Sequence, residues 1–298
     1  MVDANQQDQG RADTFAAHRP YLFAVAYRML GVAEDAEDVL QDAWLRFAAA
    51  RVEDIDSPRA YLVTIVTRLS VDLLRSARRR REEYVGVWLP EPVPTSDALP
   101  DELLETTESV SFAFLLLLER LSPLQRAVLV LYDVLDYSHE EVAQAIGRTV
   151  EASRQILRRA RLKLGDTTPG PTTSSELTGE LVDRFCEATR TGNVEELIGS
   201  LAPDVVLMSD GGGRVAAVSR PLTGDGRVGK FLATVKRQGT WDPVVLTNVN
   251  GQPTVLIHEK GTLTNAFVLD VTSSGITAIY VVRNPDKLQR LARTTTAS

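Results

Sequence analysis

The chain has few of the residues that support redox or metal chemistry. Among 298 residues it has one cysteine, Cys186, and three widely separated histidines, His18, His139 and His258. A single cysteine excludes an intramolecular disulfide and fits a reducing compartment. None of the histidines lies in a pattern with metal-ligand spacing. We therefore expect no metal site.

The chain also lacks long apolar runs and an excess of basic residues. The run FAFLLLL is far shorter than the roughly 18 residues of a membrane span. The polar start, MVDANQQDQGRAD, has no signal-peptide core. We therefore expect a cytoplasmic protein with no membrane partner. The net charge is −7, and residues 176–298 are balanced, so the first 175 residues carry that charge. Bulk binding to phosphate needs a basic face, so any nucleic-acid contact must come from local basic clusters.

The hydrophobic pattern predicts helices first and a sheet afterwards. Residues 1–12 are expected to be disordered, and helical spacing then runs from Phe15 to about Arg81. Four prolines in residues 83–108 predict an extended linker that turns into a short acidic helix. More helices follow, then a second linker rich in Pro, Gly, Ser and Thr. Beyond Pro203 the pattern alternates and predicts strands. The fold class is multi-domain, with two all-α domains followed by an α+β domain.

SHEEVAQAIGRTVEASRQILRRARLKL predicts a helix-turn-helix. Ser138 and Thr149 are N-cap residues, and Gly147 supplies the positive φ of the turn. Ser153 stands where a larger apolar residue often packs. The second helix is basic, which suits a recognition helix in the DNA major groove. A packed helix pair with a solvated basic face is the alternative. The residues expected to bind the −35 element are Thr149, Glu151, Arg154, Gln155, Arg158 and Arg159.

A longer resemblance is carried by GVAEDAEDVLQDAWLRF, SPRAYLVTIVTRLSVDLLRSARRRRE and LERLSPLQRAVLVLYDVLDYSHEEVAQAIGR. In this order they resemble both conserved regions of bacterial extracytoplasmic-function sigma factors. The resemblance implies a protein that binds the RNA polymerase core (β′ coiled coil and β flap) and promoter DNA. It implies no cofactor and no catalytic residue, because polymerase does the chemistry. The implied domains are region 2 at 13–82, a linker at 83–108, region 4 at 109–166, a linker at 167–175, a C-terminal domain at 176–292 and a tail at 293–298.

The resemblance assigns two surfaces to region 2. An acidic helix suits a basic protein partner and would repel DNA, so it is expected to bind core polymerase; a merely solvated acidic face is the alternative. The expected core-binding residues are Glu34, Asp35, Glu37, Asp38, Gln41 and Asp42. The following loop and helix are expected to hold the melted −10 strand and neighbouring phosphates. The expected −10 residues are Asp54, Asp56, Ser57, Arg59, Tyr61, Arg75, Arg78 and Arg79.

The segment SDGGGR, residues 209–214, belongs to neither sigma region. It is not a P-loop or a dinucleotide fingerprint, because neither the Lys-Ser/Thr pair nor a following helix is present. On pattern alone a tight β-turn is the plain interpretation. The surrounding residues resemble a SnoaL-like domain of the NTF2-like cone fold, which some sigma factors carry as a C-terminal extension.

Three motifs of that subgroup recur here in order: WLPEP, DGGGR and NPDKL. We expect the extension to clamp the linker and control activity in cis, with Trp88 as an apolar anchor on a preformed extended segment. The glycines would then allow close approach of another backbone. The expected regulatory residues are Trp88, Leu89, Pro90, Glu91, Pro92, Asp210, Gly211, Gly212, Gly213, Arg214, Asn284, Pro285 and Asp286.

Two other functions stay open at this point. A stand-alone helix-turn-helix regulator would bind DNA without polymerase, but it leaves the first module unexplained. A pocket enzyme fused to a DNA-binding module would need a catalytic pair in the cone. The adjacent His258 and Glu259 are the candidates, yet on a strand they point to opposite faces. A small-molecule ligand in the cone, of no stated chemistry, is a further expectation.

Overall fold

A computed structural model describes residues 4–50, 55, 57–82, 84–95, 110–165, 175–239, 241 and 244–295. These residues form two compact units. The first holds the residues up to Glu82, Val110, and those from Phe114 to Gly165. The second holds residues 84–95, Ser111–Ala113, and those from Ser175 onward. The second unit therefore includes part of the linker predicted at residues 83–108.

The first unit is helical, as its apolar periodicity predicts. Its helices are α1 (Ala4–Leu30), α2 (Ala33–Ala49), α3 (Pro58–Glu82), α4 (Phe112–Leu118), α5 (Pro123–Leu129), α6 (His139–Ile146) and α7 (Val150–Leu164). α4 begins with two residues of the second unit. α5 continues into a π-helical turn, Val130–Val134. Gly31, at φ +68°, ends α1, and Ser122 caps α5 in a capping box.

The prediction of disorder over residues 1–12 is wrong from residue 4 onward. α1 begins at Ala4, and Arg11 bonds the C-terminal end of α2, donating to the carbonyl oxygens of Ala48 and Ala50, the latter at 2.7 Å. This cation at the end of a neighbouring helix also complements its dipole. Polar composition suggested disorder, whereas a tertiary contact stabilises the helix.

The second unit is a six-stranded sheet with helices. Its elements are α8 (Ser175–Thr191), α9 (Val194–Ser200), β1 (Leu201–Asp210), β2 (Leu222–Thr223), α10 (Asp225–Gln238), β3 (Val244–Val249), β4 (Gln252–Glu259), β5 (Thr262–Thr272), β6 (Gly275–Val282) and α11 (Pro285–Thr295). The strand order is β2-β1-β6-β5-β4-β3. Only the β1–β6 pair among them is parallel.

Both faces of the central strands of this sheet are buried, whereas the edge strand β3 is largely exposed. The inner face packs its alternate apolar side chains, such as Leu207, Phe267 and Ile279, under α8 and α10. The outer face carries α11, with Leu288 and Leu291 buried, against β5. The strand that ends at Asp210 therefore presents successive side chains to two different environments.

One predicted boundary at the C-terminal tail differs from the structure, and two predicted linker segments lie outside the described residues. The expected tail at 293–298 begins inside α11, which continues to Thr295. The expected short acidic helix within 96–108 and most of the linker at 167–175 lie outside the described residues.

Candidate functional site

The expected core-binding residues lie on α2, beside a groove against α1. The buried face of α2, which includes Val39 and Phe47, packs inward. Exposed residues at helical spacing, Glu34, Asp38 and Gln41, share the opposite face. Asp42 is also exposed, whereas Asp35 and Glu37 are half-buried.

The groove has a volume of about 450 Å³. Phe15 and Trp44 give it an apolar floor, with ring centroids 5.4 Å apart. Arg19 and Glu37 form an ion pair at its edge. Sequence reasoning missed Leu45, which is 59% exposed one turn beyond Gln41. The surface thus combines acidic groups with exposed apolar area, a combination typical of protein interfaces.

The expected −10 residues lie around the start of α3, as far as they are described. Ser57 precedes the helix and accepts a long bond from Ala60 N at 3.4 Å. The Arg59 guanidinium stacks on the Tyr21 ring, 3.9 Å from its centroid. Tyr61 is half-buried near Phe47, with ring centroids 6.3 Å apart.

The other expected −10 residues form no described cluster with these. Arg75, two turns further along α3 than Arg68, bonds Asp72 at 2.8 Å. Asp54 and Asp56 lie outside the described residues. Arg78 and Arg79 continue α3, but their side chains are not described.

Within the first unit, α3 packs against the helix-turn-helix. Arg68 donates from Nε to the Ala145 carbonyl at 3.0 Å and from Nη2 to the Gln144 carbonyl at 2.8 Å. These carbonyls belong to the last turn of α6, where a cation is favourable. Buried Arg126 donates from Nη1 to the Met29 carbonyl at 2.8 Å. Contacts thus join the region 2 helices to the region 4 helices at several points.

The predicted helix-turn-helix is present in α6 and α7. Ser138 caps α6 in a capping box, and Gly147 lies in the left-handed region at φ +64°. Thr149 caps α7 by accepting from Ala152 N at 3.2 Å. The unusual Ser153 is fully buried, with its Oγ 3.2 Å from His139 Nδ1. A polar pair therefore replaces apolar packing between the two helices.

The recognition face of α7 is exposed. Glu151, Arg154, Gln155, Arg158 and Arg159 all point away from the packed side, which is formed by Ser153, Leu157 and Ala160. Arg154 lies 4.0 Å from Glu140, a contact of little energy at such exposure. Arg161, by contrast, pairs with Asp133, and its Nε donates to Asp133 at 3.1 Å. Arg161 thus stabilises the unit, whereas the other side chains face outward.

Asp210 is the centre of a buried hydrogen-bond cluster in the second unit. Its side chain is fully buried and accepts four hydrogen bonds. The donors are the Tyr84 hydroxyl at 2.6 Å, Leu89 N at 2.9 Å, Gly212 N at 2.9 Å and Lys287 Nζ at 2.7 Å. A buried carboxylate is tolerated when it is paired and fully hydrogen-bonded. Two of the donors come from the linker segment 84–95.

Lys287 connects the same linker segment to α11. Its ammonium pairs with Asp210, donates to the Leu89 carbonyl, and lies 4.5 Å from the Trp88 ring and 5.1 Å from the Tyr84 ring. Burial, and then the hydrogen bond to Asp210, raises the pKa of Tyr84 well above its usual value, so this hydroxyl stays a donor. The NPDKL motif was singled out through its first three residues, yet Lys287 makes the central contact.

The glycine motif meets NPDKL directly. Asn284 donates to the Tyr84 hydroxyl at 3.1 Å and accepts from Asp286 N at 3.1 Å. Gly212 has φ +62°, and a Cβ there would overlap the Asn284 amide. At the surface Arg214 pairs with Asp286 at 3.0 Å. Pro285 begins α11, where its fixed φ suits a first helical residue.

The glycines were expected to admit another backbone, and the backbone that Gly211 admits is that of its own loop. A Cβ added at Gly211 would overlap the Val215 carbonyl of the same loop. A Cβ added at Gly213 would meet the side chain of Val85. Arg214 N and Val215 N both donate to the Gly211 carbonyl, at 3.0 and 3.2 Å. The run is therefore a tight turn in which Gly211 leaves room for a backbone carbonyl of the same loop, and Gly212 and Gly213 leave room for the side chains of Asn284 and Val85.

The most deeply buried residue of the WLPEP segment is also not the one expected from the sequence. Trp88 is only half-buried, whereas Leu89 is completely buried and Pro90, Glu91 and Pro92 are buried with it. A large ring was the obvious anchor from sequence. The Trp88 ring instead lies against the Lys287 ammonium, 4.5 Å from the ring centroid, in a cation–π contact.

Sequence reasoning missed a second contact on the same linker segment. The turn between β3 and β4 pairs with it like a short strand: Asn250 N donates to the Val93 carbonyl at 3.0 Å, and Val93 N donates to Asn250 Oδ1 at 3.0 Å. Gly251 N donates to Thr95 Oγ1 at 3.1 Å. The Asn-Gly pair at residues 250 and 251 is a turn signal in the sequence. Its pairing partner, 156 residues away, has no local signature.

A third contact holds Ser111–Ala113. Phe112 N donates to Gln252 Oε1 at 2.7 Å, and the Phe112 ring lies 5.5 Å from that of Tyr280. Asp270 accepts from Gln252 and, at 2.9 Å, from the Tyr280 hydroxyl. Burial raises the pKa of Asp270, and the bond from Tyr280 opposes that shift. The sheet thus binds chain segments from both ends of the linker.

The inner face of the sheet encloses a cavity of about 640 Å³. Glu259 lines it and His258 does not, as strand alternation predicts. A catalytic His–Glu pair in the cavity is therefore absent from the described residues. Nor do those residues include a group of three or more His, Cys, Asp or Glu that could hold a metal ion. No described helix is long and apolar enough to cross a membrane.

Two family descriptions match the chain. Residues 14–80 match "Sigma-70 region 2" and residues 111–164 match "Sigma-70, region 4". Both DNA-binding regions are thus recognised in the expected order, which favours a sigma factor over a stand-alone regulator or a pocket enzyme.

Two curated relatives and one solved structure extend this match to most of the chain. The ECF RNA polymerase sigma factor SigJ of Mycobacterium tuberculosis is 35% identical, over 92% of this chain and 91% of its own. A probable ECF sigma factor, SigI, from the same species is 32% identical over 92% and 93%. The crystal structure of M. tuberculosis SigJ matches with a TM-score of 0.73 and 32% identity, covering 94% of this chain and 98% of that one. This chain therefore belongs to the extracytoplasmic-function family of RNA polymerase sigma factors.

Proposed function

We propose that this sigma factor directs the RNA polymerase core to specific promoters in the cytoplasm, and that its C-terminal domain controls it in cis. The observation that carries the regulatory part is the bonding of Asp210 to Tyr84 and Leu89 of the linker. Because polymerase supplies the catalysis, the proposal needs no catalytic residue or cofactor in this chain.

The α2 surface supports core binding. Glu34, Asp38 and Gln41 present an exposed acidic face beside the apolar groove between α1 and α2. Such a face attracts a basic partner and would repel DNA. We assign the β′ coiled coil of polymerase to this surface and the β flap to region 4.

The two expected DNA surfaces would recognise different promoter elements, the start of α3 the −10 element and α7 the −35 element. Ser57, Arg59 and Tyr61 lie at the start of α3, where a cation and a ring would hold an unstacked strand. The outward side chains of α7 suit major-groove recognition of the −35 element, and the Thr149 cap fixes the helix entry. Arg75 would meet phosphate, which positions the complex without selecting sequence.

Control in cis follows from the packing of the first unit. Elements at −35 and −10 are separated by about 25 base pairs, or roughly 85 Å of B-form DNA at 3.4 Å per pair. Arg68 holds α3 directly against α6, and both regions cannot reach their elements in that arrangement. The linker must therefore extend before both elements are bound, and we propose that the C-terminal domain sets how readily segment 84–95 is released.

The test is transcription by purified core polymerase with the full-length chain, with mapping of the new 5′ ends. Start sites that share upstream motifs are expected with the unchanged protein. Asp210→Ala is expected to change transcript yield at the same start sites, whereas Glu187→Ala, which removes an exposed ion pair within α8, should change it little. Absence of new starts would contradict promoter recognition, and equal yield for Asp210→Ala would contradict control through the linker.

A further inference from the structure

The functions proposed above leave the cavity on the inner face of the sheet unassigned. It lies between α10 and the inner residues of β1, β4, β5 and β6, with aromatic walls formed by Phe231, Trp241 and Phe267. Its volume of about 640 Å³ is in the range of cavities that hold small organic ligands. Trp241 is itself almost fully buried and packs edge-on against Phe267, with centroids 5.7 Å apart. The apolar walls are thus preformed.

Two opposite charges line this cavity without compensating each other. Arg283 donates from Nη1 to the Ala216 carbonyl, and its Nε is buried with no acceptor. Within the described part of the chain, no carboxylate lies within ion-pairing distance of Arg283 and no cation lies within that distance of Glu259. Charged groups in a partly enclosed apolar site normally find partners. These two are available to a ligand.

The strand order fixes the spacing of the two charges. Glu259 ends β4, and Arg283 follows the end of β6, with β5 between them. Two strand spacings separate them across the sheet, and the register shifts them along it, because Glu259 is opposite Thr262 whereas Arg283 follows Val282, which is opposite Ala266. Their backbones therefore lie roughly 14 Å apart. Asn265, on the neighbouring strand β5 and level with Arg283, is buried, and its Nδ2 donates to Thr264 Oγ1 at 2.9 Å. Arg283 with Asn265, and Glu259 about three residues further along the sheet, therefore provide two separate polar positions in a largely apolar cavity.

We propose that this cavity binds an aromatic hydroxy acid or a molecule of the same chemical layout. The ring system packs against Phe231, Trp241 and Phe267. The carboxylate accepts hydrogen bonds from Arg283 at one end, and the hydroxyl donates to Glu259 at the other. A simple anion lacks the apolar body, and a neutral hydrocarbon leaves both charges unpaired, so neither satisfies the site.

The site is joined to the linker cluster through adjacent residues. Ser209 lines the cavity while Asp210 bonds the linker, and Arg283 lines the cavity while Asn284 bonds Tyr84. Arg283 N and Asn284 N both donate to the Asp210 carbonyl, at 2.8 and 2.9 Å. Ligand contact with Arg283 therefore acts on the strand ends that hold segment 84–95. This regulatory consequence rests on the proposed function; binding itself does not.

The binding test uses 6-hydroxy-2-naphthoate, whose carboxylate and hydroxyl lie at opposite ends of an apolar body, with the full-length protein in a calorimeter. Binding to the unchanged protein is expected, with at least tenfold weaker binding of 2-naphthol, which lacks the carboxylate. Arg283→Gln should weaken binding of the hydroxy acid at least tenfold, because a charge-assisted hydrogen bond is lost. Arg237→Gln removes an exposed arginine of α10 and should leave affinity unchanged. No binding of the hydroxy acid, equal affinity for 2-naphthol, or full affinity in a folded Arg283→Gln protein would overturn the proposal.

The coupling is measured separately by amide hydrogen exchange. Leu89 N and Val93 N donate to Asp210 and Asn250, and saturating 6-hydroxy-2-naphthoate should change their exchange rates. Unchanged rates in the presence of bound probe would refute the coupling while the binding site stands. Neither measurement involves polymerase, so the outcome is independent of the transcription test.

Discussion

Lys287 Nζ lies 2.7 Å from Asp210 Oδ2, and the two side chains are 9% and 0% exposed. The lysine comes from α11 and the aspartate from the end of β1. The linker residue Leu89 donates its N–H to the aspartate and accepts from the lysine. The buried ion pair therefore joins three distant segments of the chain.

Asp210→Asn should lower the free energy of unfolding of the full chain by about 3 kcal/mol, because it leaves Lys287 buried without a counter-charge. The double variant Asp210→Asn/Lys287→Met should recover part of this loss. Urea unfolding monitored by circular dichroism measures both. Asp286→Asn, which breaks an exposed pair, should cost less than about 1 kcal/mol. Additive losses in the double variant would show that the two buried residues are not coupled.

Gly212→Ala should destabilise the glycine turn by about 1–2 kcal/mol or more, because a non-glycine residue at φ +62° is strained. The added Cβ also overlaps the Asn284 amide. Gly226→Ala is the matched control, since it lies in α10 with nothing near the added methyl and should be neutral or slightly stabilising. Thermal unfolding of the two variants measures the difference, and equal stability would contradict the turn geometry.

Asp270 predicts a pH dependence of stability with a definite sign. Burial raises the pKa of Asp270 in the folded state, so the folded state binds the proton more tightly than the unfolded state. Stability from this group is full below the ordinary aspartate pKa of about 3.9 and falls as the pH rises to the raised folded value. As the pH rises through this range, the urea midpoint of the unchanged protein should fall more than the urea midpoint of the Asp270→Asn variant. A difference that stays constant with pH, or equals that of the exposed-site control Asp204→Asn, would contradict the prediction.

Arg154→Ala should reduce discrimination among −35 sequences by about 1–3 kcal/mol if Arg154 contacts a base edge. Binding of the full chain with core polymerase to promoter duplexes altered at single −35 positions measures this. Arg190→Ala, in α8 and paired with Glu187, is the control and should not change specificity. A uniform loss across all duplexes, with a salt slope smaller by about one, would assign Arg154 to phosphate instead.

Arg68→Gln should loosen the packing between α3 and α6, because it removes two bonds to helix-terminal carbonyls. We expect faster amide hydrogen exchange in α6, because the free energy of its local opening should fall by about 1–2 kcal/mol. Arg75→Gln removes an exposed arginine of the same helix, bonded only within α3, and serves as control. If both variants leave α6 exchange unchanged, the Arg68 contact does not hold the regions together.

Local sequence determined the secondary structure and the identity of several motifs. Caps at Ser138 and Thr149 and the positive φ of Gly147 follow from chemistry within a few residues, and so the helix-turn-helix was predicted correctly. The alternation that separates Glu259 from His258 follows for the same reason, whereas the two sigma regions were identified by their resemblance to a known family. The caps, the turn and the alternation depend on backbone preferences and on periodicity, which are both short-range.

Only the tertiary structure decided which distant residues meet. Asp210 contacts Tyr84, Leu89 and Lys287 because a sheet edge, an extended segment and a helix start converge there. Sequence pointed to Trp88 as the anchor because ring size is visible in sequence, whereas the burial of Leu89 depends on what covers it. The pairing of Asn250 with Val93 and the helical N-terminus held by Arg11 likewise arise from long-range contacts. Such contacts are selected by packing and by the satisfaction of buried polar groups, which a linear pattern does not encode.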